Sequence, residues 1–421
     1  MAIIFHPTDS PIVRGIKTVG VGKKGSQPLA RDLAVEILAD LKAGLVPAAA
    51  IGAFFAGLSF KGIEDDEKIL GEYFPSQEIL SNPVLLARQL CQEAPPNIRK
   101  ICEQIMAGQT LDQETALILG RFLFSDQPGD TARGLIACAL RVRYETDDEY
   151  AGLLKAMQET IAAPWRIAPG EGAPLIQLAE PFDGNDKSFL ITPVLGDFLI
   201  KQGYRVLHMV GRNSGPKFDM NLLDVANGLD IEFLSPSMDL KKRPFAFGWF
   251  LRQQDLSQPI DRWVEIRRQT VKRPFLATLE KFLNPWNASV IAVSAFHPPY
   301  GEKMLTVAER AGFPGIIVVR NGIEGSLAFS LKRETRLLCS VRKNDGSYLR
   351  HEIVFQPDLY LSHPLETEEK NEHPKAIDNA RLIKEYIAAG KTANRHFDSR
   401  IQLTCEGFRQ ALQWIKTQQS E

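Results

Sequence analysis

The feature that most narrows the fold of this chain is a repeat within its first 160 or so residues. Shifted by 82 positions, ARDLAVEILADL from Ala30 lies over DQETALILGRFL from Asp112 without a gap. IGAFFAGLSFKGIEDDEKILG from Ile51 then lies over RGLIACALRVRYETDDEYAGL from Arg133. Ala34/Ala116, Gly52/Gly134 and Leu58/Leu140 are identities, and Asp65-Asp66-Glu67 falls on Asp147-Asp148-Glu149. Apolar residues in both copies recur at intervals of three and four, the signature of amphipathic helices. Acidic triplets suit the first turn of a helix, where the macrodipole favours negative charge, and Thr146 is placed to cap the second copy. Matching turns as well as faces separate this from the chance similarity of two amphipathic helices. Two related helical modules are expected, residues 1–80 and 81–168.

After Pro164 the texture changes. Short runs rich in β-branched residues are expected as strands over Leu175–Ala179, Tyr204–Val210, Ile231–Leu234, Val290–Phe296, Gly315–Arg320, Leu337–Val341 and His351–Phe355. Between them lie helical patterns over Thr192–Gln202, Asp261–Thr270, Pro274–Phe282 and Lys303–Ala311. This alternation implies an α/β domain with a central, largely parallel sheet, residues 169–370. Thr192 followed by Pro193 reads as a helix start, with Thr192 as N-cap and Pro193 at the first helical position. Helices return over residues 371–421, with Gly390 as a terminator between them. The acidic stretch Glu366–Glu372 reads as a solvated linker. The fold class is therefore α/β plus all-α.

Composition excludes several functions. A net charge of −1 excludes a globally basic nucleic-acid binder. No apolar run approaches the ~20 residues needed to span a bilayer, and the start, MAIIFHPTDSP, has no signal-peptide pattern. Five scattered cysteines without a CxxC spacing indicate free thiols in a reducing cytoplasm.

Several segments resemble the anthranilate phosphoribosyltransferase family, glycosyltransferase family 3. They are KAGLVPAAAIGAFFAGLSFKGIEDDE from Lys42, LRVRYETDDEYAGLLKAM from Leu140, VEIRRQTVKRP from Val264, and FLATLEKFLNP, which ends in Asn284-Pro285. The likeness spans nearly the whole chain, with one helical module in excess. IVRGIKTVGVGKKGSQPL from Ile12, FDGNDKSFLITPVLGDFLIKQGYRVL from Phe182, HPPY from His297 and NGIEGS from Asn321 are closer to a divergent branch of the family related to an enterobacterial nucleic-acid-binding protein. The resemblance implies a helical module that mediates dimerisation in the family. The extra copy would then give either a homodimer or a pseudo-dimeric monomer.

The family's catalysis needs a glycine-rich turn whose amides hold pyrophosphate, with carboxylate-bound Mg²⁺ neutralising the leaving group. The stretch matching the family's Gly-Thr-Gly-Gly-Asp loop is Ala179-Glu180-Pro181-Phe182-Asp183-Gly184, where only Asp183 and Gly184 survive. Pro181 removes an amide donor, Phe182 blocks close backbone approach, and Glu180 repels phosphate. Of the family's acidic metal pair only Glu324 remains, in Arg320–Ser326, and a lone carboxylate is a weak Mg²⁺ ligand. The family's Lys-His-Gly-Asn-Arg segment survives in altered form around His208–Asn213. There Arg212 and Asn213, with Lys217 beyond, are candidates to meet an anion. His297 is a candidate ligand contact, and either Arg267 or Arg268 matches the arginine that orients the aromatic acid. The pattern Gly20–Gly25 fits GxGxxG but follows no strand, so it reads as a basic turn. No cofactor is implied for a binding protein; Mg²⁺ is implied only for an active enzyme.

Charge is uneven. Residues 241–281 hold ten basic and four acidic side chains, a local excess of +6 in a chain that is −1 overall. Arg268 and Lys272 lie one turn apart if their helix continues. Trp263 and Phe275 are placed to stack on bases, Arg273 extends the set, and Lys23 and Lys24 join it if the fold brings them near. The leading expectation is a cytoplasmic protein that lacks anthranilate phosphoribosyltransferase activity and binds nucleic acid or another polyanion in a basic interdomain cleft. One alternative is an active pentosyltransferase with a phosphoribosyl-type donor and a phosphorylated small-molecule substrate, using Asp183, Arg212 and Glu324. The other is a scaffold whose duplicated helices make protein contacts.

Overall fold

The computed structural model of the 421-residue chain describes all residues except 1–5, 7, 21–24, 167–171, 215–218, 237–245, 296–297, 362–366, 369–370, 372 and 421. By contacts the chain divides into two units. The first comprises Met1–Met157 with Ser214–Pro216 and Arg262–Ala277; the second holds the remainder.

The first unit is helical, as its periodicity predicts. It contains α1 (Pro11–Val19), α2 (Arg31–Lys42), α3 (Ala48–Lys61), α4 (Gln77–Ser81), α5 (Pro83–Leu90), α6 (Pro96–Met106), α7 (Gln113–Leu123), α8 (Asp130–Arg143) and α9 (Asp147–Glu159). A 3₁₀ turn over Asp65–Tyr73 stands where α9 stands 82 residues later. Helix α3 is apolar nearly all round, so it lies in the middle of the unit rather than on its surface.

The two acidic triplets do more than favour a helix dipole. Glu67 accepts from the amide of Leu29 at 2.9 Å, the amide of Glu64 at 2.8 Å and Nζ of Lys61 at 2.9 Å. Glu149 accepts from the amide of Leu111 at 3.0 Å, the amide of Thr146 at 2.8 Å and Nη2 of Arg143 at 2.5 Å. Each partner of Glu149 stands 82 positions after the corresponding partner of Glu67. Thr146 Oγ1 accepts from the amide of Glu149, the capping role its sequence position indicates.

The second unit is built on a seven-stranded sheet: β1 (Leu175–Ala179), β2 (Arg205–Val210), β3 (Trp249–Arg252), β4 (Val290–Ala295), β5 (Gly315–Arg320), β6 (Thr335–Arg342) and β7 (Tyr348–Phe355). Its order is β3-β2-β1-β4-β5-β6-β7. The first five strands run parallel, and β6 and β7 are added antiparallel. The parallel strands are buried on both faces, which explains their continuous apolar runs. The chain continues through α10 (Thr192–Lys201), α11 (Leu222–Gly228), α12 (Gln253–Leu256) and α13 (Gln258–Asp261). Helix α14 (Trp263–Thr270) belongs to the first unit. Then come α15 (Leu276–Leu279), α16 (Pro298–Arg310), α17 (Ala376–Ala389) and α18 (Arg395–Ser420).

Three local expectations are corrected. Ile231–Leu234 is not a strand; the edge strand is Trp249–Arg252, and Leu234 only donates its amide to Phe250. Thr192 is the first residue of α10 rather than its cap, because its hydroxyl is engaged by Glu180. The acidic stretch is no simple solvated linker. Glu368 pairs with the fully buried Arg400 at 3.3 Å and accepts from the amides of Leu331 at 2.8 Å and Lys332 at 3.2 Å. Gly390 does end α17, with φ +71° and its amide on Tyr386.

The two carboxylates Glu67 and Glu149 are fully buried, each with a nearly buried cation. Removing one partner of such a pair strands the other, at a cost of about 3–5 kcal/mol. Glu67→Ala and Glu149→Ala are each expected to lose that much in urea unfolding, and a loss under ~1 kcal/mol would contradict the assignment.

Candidate functional site

In an open α/β sheet, ligands bind at the carboxyl ends of the parallel strands. In the second unit those ends are the loops after β1, β2 and β5. The loop after β1 starts with Glu180, buried and hydrogen-bonded rather than facing a ligand. Thr192 donates its hydroxyl to Glu180, and the amide of Leu327 donates to both carboxylate oxygens at 3.1 Å. Burial pushes this carboxyl up to about 7, against the lowering effects of those hydrogen bonds and of Lys281.

Phe182 is buried, and its ring lies where a side chain at Gly211 would have to go, 2.5 Å from an added Cβ. Asn221 fastens this corner, donating to the carbonyls of Phe182 at 2.9 Å and Gly211 at 3.0 Å while capping α11. Asp183 is also buried. Gly184 has φ +83°, and a Cβ there would sit 2.3 Å from the carbonyl of Asp219. The glycine is thus required by a close approach within the protein itself.

Beyond it, the loop has donors suited to an anion: two consecutive amides and a hydroxyl. All three end on Glu324. Its carboxylate accepts from the amides of Asp186 at 2.8 Å and Lys187 at 3.0 Å, and from Ser188 Oγ at 2.7 Å. Glu324 adopts φ +52° and Asn321 φ +66° in the loop after β5, a backbone strain of order 1–3 kcal/mol per residue. The carbonyls of Asp186 and Lys187 are taken by the amides of His373 at 3.1 Å and Asn371 at 3.0 Å.

The other candidates of this unit are also engaged. Arg212 forms a two-pronged contact with Asp261, Nε to Oδ1 at 3.1 Å and Nη2 to Oδ2 at 2.7 Å. Asn213 donates to the carbonyl of Asp219. His208 is a core residue, stacked on Phe250 at 4.2 Å with Nε2 on the carbonyl of Phe247; burial lowers its pKa to about 4. Lys217 and His297 lie outside the described residues. Among the described residues no three His, Cys, Asp or Glu side chains converge as a metal site. With Glu324 turned to N–H and O–H donors and no second carboxylate beside it in its loop, these residues do not fit the Mg²⁺ ion of the enzyme reading.

The basic candidates of the first unit separate into three groups. Trp263 and Arg267 are core residues, 1% and 2% exposed. The indole of Trp263 donates to the carbonyl of Leu123 and lies edge-on to Phe275, so stacking on a base is not available to it. Arg268 and Arg273 are exposed, Arg268 within 3.1 Å of Glu265. Lys272 does not continue the face of Arg268. The helix ends at Thr270, and Val271 turns left-handed at φ +52°. Lys272 is thereby carried to the end of α1, where its Nζ lies 3.3 Å from an added Cβ at Gly20.

At that point Lys272 is near Cys138 of α8, with Arg141 and Lys17 as its cationic neighbours. Burial first, and those two like charges after it, lower its pKa to about 8. Lys17 is paired with Asp9 at 2.6 Å. Lys23 and Lys24 lie outside the described residues. Sequence reading missed Lys17 and Arg141, which carry no motif and come from other helices. The five cysteines are free and buried.

With this geometry in hand, comparison with known proteins is direct. No family model matches the chain. It is 25% identical over 219 residues to an uncharacterized protein of Aquifex aeolicus (strain VF5), covering 52% of this chain and 65% of that protein. It is 29% identical over 113 residues to the uncharacterized protein YbiB of Escherichia coli (strain K12), covering 26% of this chain and 34% of that protein. The chain thus spans less than two thirds of either relative. Among solved structures it matches anthranilate phosphoribosyltransferase (TrpD) of Thermus thermophilus, with TM-score 0.53 and 18% identity over 76% of this chain and 99% of that one. It also matches the Saccharomyces cerevisiae enzyme in complex with PRPP and Mg, with TM-score 0.50 and 13% identity over 92% and 94%. The fold is that of anthranilate phosphoribosyltransferase. At such identities the likeness concerns the fold alone, and the TrpD-like frame here carries the altered loops just described. Among the described residues no helix is long and apolar enough to cross a membrane.

Glu180 offers a pH test. Its folded pKa of about 7 lies above the ordinary 4.5, so the folded state keeps a proton the unfolded chain releases. The associated stability is fully present below pH 4.5 and is lost as pH rises through about 7. The shift corresponds to roughly 3 kcal/mol. Relative to Glu180→Gln, the native protein should therefore lose stability between pH 5 and 8.5 in matched unfolding titrations, and parallel profiles for the two proteins would contradict it.

Proposed function

We propose that this chain is an anthranilate phosphoribosyltransferase-like protein without anthranilate phosphoribosyltransferase activity that binds nucleic acid or another polyanion through basic side chains of its helical unit. On the same reading, its first 160 or so residues are two copies of one helical module, and the protein belongs beside the divergent branch its loops resemble. The observation that carries the reading is the engagement of Asp186, Lys187 and Ser188 by the chain's own Glu324. A pyrophosphate would have to displace a carboxylate already seated on three donors. Pro181 offers no amide and Glu180 is buried against Leu327, so the preceding turn supplies no replacement.

Polyanion binding is supported by the setting of Lys272. Its ammonium is held near Arg141 and Lys17, two like charges that add to burial in lowering its pKa and that make the neighbourhood positive. Exposed Arg268 and Arg273 extend the positive charge, and Lys23 and Lys24 stand three and four positions after Gly20 in sequence. Backbone phosphates are suited to such a site, because binding then depends on charge rather than on base identity.

The test uses fluorescence anisotropy with a labelled single-stranded oligonucleotide, and a thermal shift with PRPP with and without Mg²⁺. Affinity for the oligonucleotide should fall steeply with salt, and Lys272→Gln should weaken it across sequences and reduce the salt slope by about 1. Binding should tighten as pH falls through about 8, where Lys272 gains its proton. PRPP should give no Mg²⁺-dependent stabilisation. A rise with PRPP and Mg²⁺ would instead favour a pentosyltransferase that uses Asp183, Arg212 and Glu324, and unchanged oligonucleotide affinity in Lys272→Gln would reject the site.

A further inference from the structure

Helices α3 and α8 pack closely, and the approach is made at matched positions. A Cβ at Gly52 would lie 1.9 Å from the carbonyl oxygen of Thr131. A Cβ at Gly134 would lie 1.9 Å from the carbonyl oxygen of Ala49. Gly134 stands 82 positions after Gly52, and Thr131 stands 82 positions after Ala49. Each glycine therefore meets the carbonyl three residues before the other glycine. Such reciprocity, in which i touches j′ and j touches i′, defines an isologous contact about a twofold axis. The hydrogen-bond sets of Glu67 and Glu149 repeat with the same offset, so the likeness extends from the crossing to the turns beyond it.

We infer that the α3–α8 crossing is a complete twofold interface closed inside one chain, with the second module occupying the face of the first that would otherwise receive a second copy. The inference rests on the reading of two related modules. Three physical points carry it. The contact leaves no room for a methyl group at either glycine, so it is a fitted surface rather than a loose one. Both helices are buried there: Ala49, Ala53 and Phe54 on α3, and Leu135, Cys138 and Ala139 on α8. A twofold contact uses the same surface on both sides, so once the two modules have paired, this face is consumed and closed.

The wild-type chain provides the first test, because a contact within one chain is indifferent to concentration. Hydrogen-exchange protection of the α3 and α8 amides should stay constant on dilution from ~100 μM to ~0.5 μM. Gly52→Ala and Gly134→Ala should each lower the melting temperature by similar amounts, roughly 5 °C or more. Light scattering should give the same mass for both variants as for the wild type, 47.0 kDa or any multiple formed through another face. Loss of protection on dilution would overturn the inference. So would a wild-type dimer reduced to a monomer by either substitution, or one glycine accepting alanine while the other does not. These readouts need no ligand, so a failure to bind oligonucleotide would leave them standing.

Discussion

In the loop after β1 the half-buried amide of Asp186, the exposed amide of Lys187 and the buried hydroxyl of Ser188 share one acceptor, Glu324. That single carboxylate takes two amides and a hydroxyl, and much of the local structure follows from holding it there. Glu324 and Asn321 accept left-handed backbone to bring the side chain across. Glu180 ties the exit of β1 to Leu327, just beyond the same loop after β5. The carbonyls of the same loop are covered by Asn371 and His373, and Arg212 is drawn to Asp261. The donors of the loop after β1 are thus satisfied by the chain's own side chains.

The helical unit shows the same self-sufficiency in another form. Two fully buried glutamates, 82 positions apart, pin turns in the same way, each with an amide from 38 residues earlier and a cation from the preceding helix. Helix α3 is apolar on all sides because it is enclosed, and its closest neighbour is the helix that matches it in sequence. The α14 segment breaks the likeness. Trp263 enters from a distant part of the chain to bond Leu123, and the left-handed Val271 then delivers Lys272 to Gly20.

Much of this was legible in the sequence, and the limits have physical causes. Six of the seven expected strands fall on strands of the sheet; for β1, β2, β4 and β5 the cause is that buried parallel strands leave continuous apolar runs, whereas β6 and β7 are antiparallel. The edge strand was misplaced because Trp249–Arg252 is only four residues long and carries no alternation. Pro181, Phe182 and Glu180 could be seen to set the loop after β1 apart from the glycine-rich turn the resemblance implies, but not that Glu324 would take its donors, since the partners lie more than 130 residues apart. Counting charge identified a basic segment but could not separate core Arg267 from exposed Arg268, adjacent residues on different faces of one helix. Lys272 was expected on the face of that helix, and a single left-handed valine redirects it.

On the proposed reading, Glu324 occupies the place an anion would take. The most direct measurement is calorimetric titration of inorganic pyrophosphate into the wild-type chain and into Glu324→Ala, at equal pH and ionic strength. The account predicts no binding heat at the loop of the wild-type chain, and a new pyrophosphate site in Glu324→Ala that is lost when Ser188 is also changed to Ala. Wild-type binding that depends on Ser188, or a folded Glu324→Ala chain that gains no site, would contradict it.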